Sequence, residues 1–279
     1  MPTLLEQVCA PQTLAAAFRA SLGSPGVWCG RTPMDWVRAR PERHLLTLAR
    51  DLAEGRYQSE PARRIEGFTA DGRARAFTVY CVRDRVVQRA LLRVVQPLGE
   101  ALFVDTSYGY RPGLSVPMAV SRVREWLRPG PMWLLRGDVH RCFDSLSRGH
   151  ALGLLRALTG DAPAAALVQG WLNQAPGAAA GLPMGMALSP FLCNLSLHGL
   201  DLCLRRHRLP MVRWADDLVV ATPDEAGAHH AKAVIADHLG RIGLMLNPTK
   251  TVIAPSTARL RFLGQTLLSY PAPKAASMT

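Results

Sequence analysis

Hydrophobic and polar positions follow two rhythms along this chain. Residues 1–50 carry apolar side chains at helical spacing, through Leu14, Phe18 and Leu22 and again through Trp36, Leu45, Leu46 and Leu48, which predicts a helical lead. Over residues 57–82 the rhythm shortens. Arginine-rich arms with β-branched and aromatic residues flank Asp71-Gly72, a hairpin turn signal. VVQRALLRVVQPLGEAL then predicts an amphipathic helix. PMWLLRGDV is a short apolar run ending at Asp138, the pattern of a buried strand, and SLSRGHALGLLRAL follows as a helix. Ser189-Pro190 predicts a helix start, Ser as cap and Pro at the first helical position, running on through Leu192, Leu195, Leu200 and Leu204. MVRWADDLVVAT predicts a hairpin, with Met211–Trp214 and Leu218–Ala221 as arms around an acidic turn. Thr222-Pro223-Asp224-Glu225 predicts a capping box and a helix ending near Gly243. TVIAP and RFLGQTLLS close the list as short strands. The order predicts an α+β fold with an antiparallel sheet carrying acids at its centre.

Composition narrows this picture. With 279 residues, 48% of them hydrophobic, the chain has enough material for a sizeable core and is not a disordered sequence. No apolar run has the length of a membrane span, and MPTLLEQVCAPQ lacks the basic and apolar regions of a signal peptide. The six cysteines are scattered without C-x-x-C spacing, so reduced, mostly buried thiols in a cytoplasmic protein are expected. The net charge of +12 suits a nucleic-acid partner, although a high-GC genome rich in Arg codons gives the same bias.

The acids carry the chemistry. Asp216 and Asp217 are adjacent in a turn between apolar strands, where like charges repel unless one takes up a proton or a cation intervenes. Mg²⁺ prefers a few carboxylates together with substrate phosphates. Asp138, at the end of its own strand, is the natural third ligand if the strands are neighbours. Two metals about 4 Å apart then clamp the attacking and leaving oxygens of a phosphoryl displacement. The plain alternative for Asp216-Asp217 is a polar β-turn.

At these residues the chain resembles a known family. RWADDLVV resembles the Y/F-x-D-D box of reverse transcriptases, and LLRGDVHRCFDSLSRGHAL resembles the preceding box, D-I-K-x-C-F-D-x-I in group II intron enzymes. GLPMGMALSPFLCNLSLHGLD is similar to their G-x-P-Q-G-x-x-x-S-P box, and DRVVQRALLRVVQPLGEALFVDTSYGYRPGLS to their D-R-x-x-Q-x-A-L and S-Y-G-F-R-P-G stretch. LGRIGLMLNPTKT and RFLG resemble the closing Lys-bearing and F-L-G boxes. The likeness runs over residues 55–268.

The resemblance implies a right-hand polymerase with fingers, palm and an antiparallel palm sheet. Asp138, Asp216 and Asp217 would be the catalytic and metal-binding residues, with Mg²⁺ as cofactor and Mn²⁺ as a substitute ion. Arg73, Arg75, Val139, Phe143 and Lys250 would bind the nucleotide, Phe143 as the gate against the ribose 2′-hydroxyl. Gly181, Pro183, Met184, Gly185, Ser189, Trp214, Phe262, Leu263 and Gly264 would contact template and primer. Three positions depart from the pattern: Met184 replaces Gln, Trp214 replaces Tyr, and Thr69 stands where a fingers lysine is common.

The resemblance further implies a helical extension at 1–50, fingers with part of the palm at 51–130, the catalytic palm at 131–268 and a tail at 269–279. Only residues 265–279 follow RFLG, so no thumb is expected. The expected activity is RNA-directed DNA polymerisation from a DNA or RNA primer, using dNTPs and an RNA template. A domesticated enzyme working with a protein partner, such as a CRISPR adaptation integrase, fits this picture. Another phage-defence reverse transcriptase, a template-independent nucleotidyl transferase and a maturase-like RNA-binding module are the alternatives.

Overall fold

The computed structural model describes all residues except 1, 24, 69–71, 73, 177–180 and 268–279. The lead is helical as expected: α1 (Leu4–Cys9), α2 (Pro11–Arg19), α3 (Met34–Ala39) and α4 (Pro41–Ala53). Thr3 and Glu6 start α1 with a reciprocal capping box. The basic segment is the antiparallel hairpin β1 (Arg63–Phe68) and β2 (Ala74–Val79), with Arg63 opposite Val79 and Phe68 opposite Ala74. Of its expected turn, Asp71 lies outside the described residues, and Gly72 has φ +76°, a conformation glycine adopts without strain.

The order continues with α5 (Val82–Leu102), α6 (Val116–Leu127), β3 (Trp133–Asp138), α7 (Cys142–Ser145), α8 (Arg148–Thr159), α9 (Ala162–Gln174) and α10 (Ser189–Arg206). It ends with the hairpin β4 (Met211–Trp214) and β5 (Asp217–Thr222), then α11 (Glu225–Arg241), β6 (Val252–Pro255), β7 (Arg261–Phe262) and β8 (Gln265–Thr266).

Contacts divide the chain into two compact units, each built from two stretches: residues 1–102 with 146–196, and residues 103–145 with 197–279. The first unit is organised around a buried carboxylate. Asp84 is fully buried, accepts from the Tyr57 hydroxyl at 2.7 Å and from the Glu60 amide at 2.9 Å, and Trp171 Nε1 donates to the same Tyr57 oxygen at 2.9 Å. These bonds supply the partners that a buried charge needs.

The second unit is built on an antiparallel sheet of order β4-β5-β3-β6, so the two acid-bearing strands β5 and β3 are its inner pair. On one face, Val120, Val123 and Leu127 of α6 pack with Leu134, Val212, Val219, Ala221 and Phe262. On the other, α11 packs against β3 and β5, with Ala228, Ala231, Ile235 and Leu239 buried. Covering both faces explains why β5 reads as an unbroken apolar run, Leu218 to Ala221.

Three local expectations are corrected. The cap of α11 is Asp224, which accepts from the Gly227 amide at 2.7 Å, while Thr222 ends β5 and Pro223 precedes the helix. Helix α10 starts at Ser189-Pro190 as expected, but Ser189 is its first residue and not the cap before it, and its hydroxyl donates to the Pro183 carbonyl at 2.7 Å. Helices α6 and α9 add to the expected elements. Pro117 and Pro163 in their first turns look like breakers in sequence, but both sit where a helix tolerates Pro.

Candidate active site

The site grows from strand register. Asp138, the last residue of β3, lies directly opposite Asp217, the first residue of β5. Asp216 sits between β4 and β5, and its carbonyl accepts from the Val139 amide at 3.0 Å, tying the turn to the end of β3. The three aspartates singled out in sequence therefore meet at one end of the two central strands.

The turn that carries Asp216 is tightly held. Ala215 has φ +55°, the left-handed region that costs a residue with a Cβ about 1 kcal/mol or more. Arg213, fully buried, stabilises it from below. Its Nη1 donates to the Ala215 carbonyl at 2.8 Å, its Nη2 to Ser107 Oγ at 2.9 Å, and its Nε and Nη2 form a two-pronged pair with buried Asp201 at 2.7 and 2.6 Å. The segment around Ser107 runs beside β4: Arg213 N–H donates to the Thr106 carbonyl at 2.9 Å and Tyr108 N–H to the Arg213 carbonyl at 2.8 Å. Gly109 follows, and a Cβ there would collide with the Ala215 backbone nitrogen. Glycine is thus required by close approach.

Each of two acids faces a cation from this same unit. Lys250 Nζ donates to Asp138 Oδ1 at 2.8 Å, and Asn247 Nδ2 to Oδ2 at 3.2 Å. Arg136, two residues before Asp138 on the same face of β3, brings Nη2 to 3.6 Å from Asp217 Oδ2. The other oxygen, Asp217 Oδ1, is buried and has no hydrogen-bond partner. Burial pushes the Asp217 carboxyl up to about 6; Arg136 opposes the rise, and Asp138 and Asp216 add to it. A divalent cation would satisfy that orphaned oxygen and quench the repulsion. The carboxylates fit a metal in kind and in register. They are not closed into a ready ligand cluster, because among the described residues no group of three or more His, Cys, Asp or Glu side chains is placed to hold one.

Other expected residues fall as follows in this second unit. Val139 is buried and bridges to Leu246; Phe143 is half-buried in the single turn α7. Trp214 packs on the sheet core, and the Phe262 side chain is fully buried in that core. Leu263 and Gly264, with φ +51° and +78°, form the turn between β7 and β8.

The remaining residues belong to the first unit. Arg75 on β2 is exposed, with Nη1 3.5 Å from Met184 Sδ; Arg73 and Thr69 lie outside the described residues. The Met184 carbonyl accepts from the Thr78 amide at 2.7 Å, and Gly185 has φ +109° with its missing Cβ aimed at the Thr78 carbonyl. The Gly181 carbonyl accepts from Arg148 Nε at 2.8 Å. The turn 181–189 is thereby clasped to β2.

Sequence reasoning missed Arg136, Asn247, Arg213, Asp201 and Gly109 as supports. Arg213 had a signal: an arginine inside the apolar strand MVRW cannot be buried without a paired acid. The cysteines are free, but only Cys142 and Cys193 are buried, while Cys9, Cys29, Cys81 and Cys203 are partly exposed, fewer buried than expected. Among the described residues no helix is long and apolar enough to cross a membrane.

Comparison with known proteins gives a consistent result. The family model described as reverse transcriptase (RNA-dependent DNA polymerase) matches residues 69–267. Protein YkfC of Escherichia coli K12 is 32% identical over 225 residues, covering 74% of this chain and 58% of YkfC. The group II intron-encoded protein LtrA of Lactococcus lactis is 24% identical over 209 residues, covering 72% of this chain and 34% of LtrA. The chain thus spans less than two thirds of the length of these curated relatives. Among solved structures, a chain of a partial Cas6-RT-Cas1–Cas2 complex matches 86% of this chain and 42% of its own length, at TM-score 0.50 and 25% identity. Apo telomerase from Candida tropicalis matches 76% of this chain and 53% of its own length, at TM-score 0.56 and 12% identity, a likeness of fold alone.

Proposed function

Because this chain belongs to the reverse transcriptase (RNA-dependent DNA polymerase) family, we propose that it is an RNA-directed DNA polymerase adding dNTPs to a DNA or RNA primer on an RNA template. The observation that carries this reading is Asp138 opposite Asp217 on the inner strands, with Asp216 in the adjoining turn and one Asp217 oxygen buried without a partner. Asp138, Asp216 and Asp217 would hold Mg²⁺, with Mn²⁺ as substitute. The ion, when bound, stabilises charge on the attacking and leaving oxygens of a phosphoryl transfer.

In this reading the chain's own residues position the reactants. Asp138 is aimed by the β3 register and the Asn247 amide, and Asp216 by the turn locked over Arg213. Lys250 brings a positive charge beside the acids, suited to a triphosphate. Phe143 is the candidate gate against a ribose 2′-hydroxyl. The β1–β2 hairpin, with exposed Arg75 and the clasped 181–189 turn, would serve as fingers, and the four-stranded sheet as palm.

Primer extension with an RNA template, dNTPs and Mg²⁺ tests the proposal. A product that copies the template supports it. Untemplated addition would make the chain a nucleotidyl transferase, and RNA binding without incorporation an RNA-holding module. Asp216→Asn is expected to abolish incorporation while leaving RNA affinity within about twofold, since the carboxylate is assigned to the ion and not to the duplex.

A specific setting is supported by the likeness to a chain in a Cas6-RT-Cas1–Cas2 complex. We propose that the polymerase works beside a CRISPR adaptation integrase. Co-elution of the purified chain with Cas1 and Cas2 from the same genome supports this; separate elution at low salt counts against it.

A further inference from the structure

The acid cluster of this protein carries its own counter-ions. Asp138 has both carboxylate oxygens engaged, Oδ1 by the Lys250 ammonium at 2.8 Å and Oδ2 by the Asn247 amide at 3.2 Å. Arg136 approaches Asp217. Lys250 differs from Arg136 in two ways. It makes the closer contact, and it comes from the loop after α11 and not from the sheet, so its long stem can swing without disturbing a strand. Its side chain is 37% exposed and that of Asp138 13%, so the ammonium caps the carboxylate from the solvent side.

Mg²⁺ or Mn²⁺ would approach Oδ1 to about 2.0–2.2 Å. Although the oxygen has a second lone pair for a hydrogen bond, the two cations held so close repel, so the arrival of the ion favours departure of the ammonium. We propose that Lys250 is an exchangeable placeholder on Asp138: it occupies the carboxylate while the metal is absent and leaves when the metal binds. This rests on the metal-binding role proposed above for Asp138 and deepens it. The exchange explains why the three aspartates share one end of the sheet without forming a closed ligand cluster. It also couples two events. A displaced ammonium needs a new anionic partner, and the phosphates that arrive with a nucleotide provide one, so metal binding is weak alone and strengthened by nucleotide.

The test uses the whole protein without nucleotide or primer. Mn²⁺ is titrated and free ion is read by electron paramagnetic resonance, for the wild type, Lys250→Met, Lys232→Met and Asp138→Asn. Lys232 is an exposed lysine on α11 and controls for loss of one positive charge. Lys250→Met is expected to bind Mn²⁺ about fivefold more tightly, the upper range for a partly exposed ion pair. Lys232→Met should stay within about twofold of the wild type.

A second readout needs no variant. Acetylation of Lys250 by an amine-reactive ester, followed by mass spectrometry, should rise when Mn²⁺ saturates the wild-type protein, while Lys232 labelling stays constant. Unchanged or weaker Mn²⁺ binding in Lys250→Met, or Lys250 labelling indifferent to Mn²⁺, overturns the exchange. Failure of the metal reading itself looks different. In that case Asp138→Asn would bind Mn²⁺ as the wild type does, or the wild type would bind none, and the placeholder idea would fall with it.

Discussion

Arg213 and Asp201 show what single side chains contribute under the acidic turn. Both are fully buried, and their two-pronged pair leaves few donors or acceptors unmet. Removing one partner strands a charge in the interior, which costs about 3–5 kcal/mol. We expect Arg213→Met or Asp201→Leu alone to lower unfolding free energy by about that amount, and the double variant to recover most of it. Denaturant titration of all four proteins checks this; additive losses in the double variant would show that the two side chains do not act as a pair.

His198 lies near this pair and responds to pH. It is 7% exposed, neither ring nitrogen has a partner, and its ring stacks edge-on to Phe103 at 6.0 Å. Burial lowers its pKa; Asp201 opposes that, and Arg213, Arg205 and Arg111 reinforce it. With the folded value below the unfolded value of about 6.5, the unfolded chain takes up the proton first as pH falls. Stability attached to His198 is therefore present at pH 7.5 and lost below about 6.5. His198→Phe should flatten the stability difference between pH 7.5 and 5.5; an unchanged slope would assign the pH dependence to other groups.

At the scale of elements, the site depends on the close meeting of the 107–109 segment with the β4–β5 turn. Gly109→Ala should push Ala215 aside, displace Asp216 and remove most primer extension, with a measurable drop in melting temperature. Ala215→Gly, which relieves the positive φ, should retain activity. Equal activity in both variants would show that the turn tolerates displacement.

These supports mark the limit of what the sequence reveals. The strand rhythm of PMWLLRGDV and MVRWADDLVV was enough to predict the two acid-bearing strands, because each alternation or apolar run is a local signal. The register that sets Asp138 opposite Asp217 is not local, nor is the choice of Asn247 and Lys250 as neighbours of Asp138. Those follow from which strands pair. Helix α9 buries a stripe, Ala164, Ala165, Val168, Trp171 and Leu172, opposite polar Gln169 and Asn173, but alanines on both sides of the helix blur that contrast in the sequence. The cap of α11 was misplaced by two residues because Thr222 and Asp224 carry the same kind of capping oxygen.

At the scale of the molecule, charge is the dominant feature. A net +12 with exposed arginines such as Arg75 favours phosphate contacts over base readout. RNA affinity should therefore fall by roughly ten- to a hundredfold between 50 and 200 mM salt, linearly on a log–log plot. A nearly flat salt response would point to stacking or apolar contacts as the main source of binding.

The sheet order β4-β5-β3-β6 also has a consequence for how the protein is born. β3 is made early, yet both its neighbours, β5 and β6, come later in the chain. During synthesis Trp133–Asp138 must wait on the ribosome with two open edges until Thr222 has emerged, roughly ten seconds at about 5–20 residues per second. Such a segment invites pairing with a neighbouring nascent chain. Arg136, standing between Leu135 and Gly137, puts a charge in the middle of that sticky run during the wait. The residue that later faces Asp217 thus keeps a charge on the strand's open edges before the sheet exists.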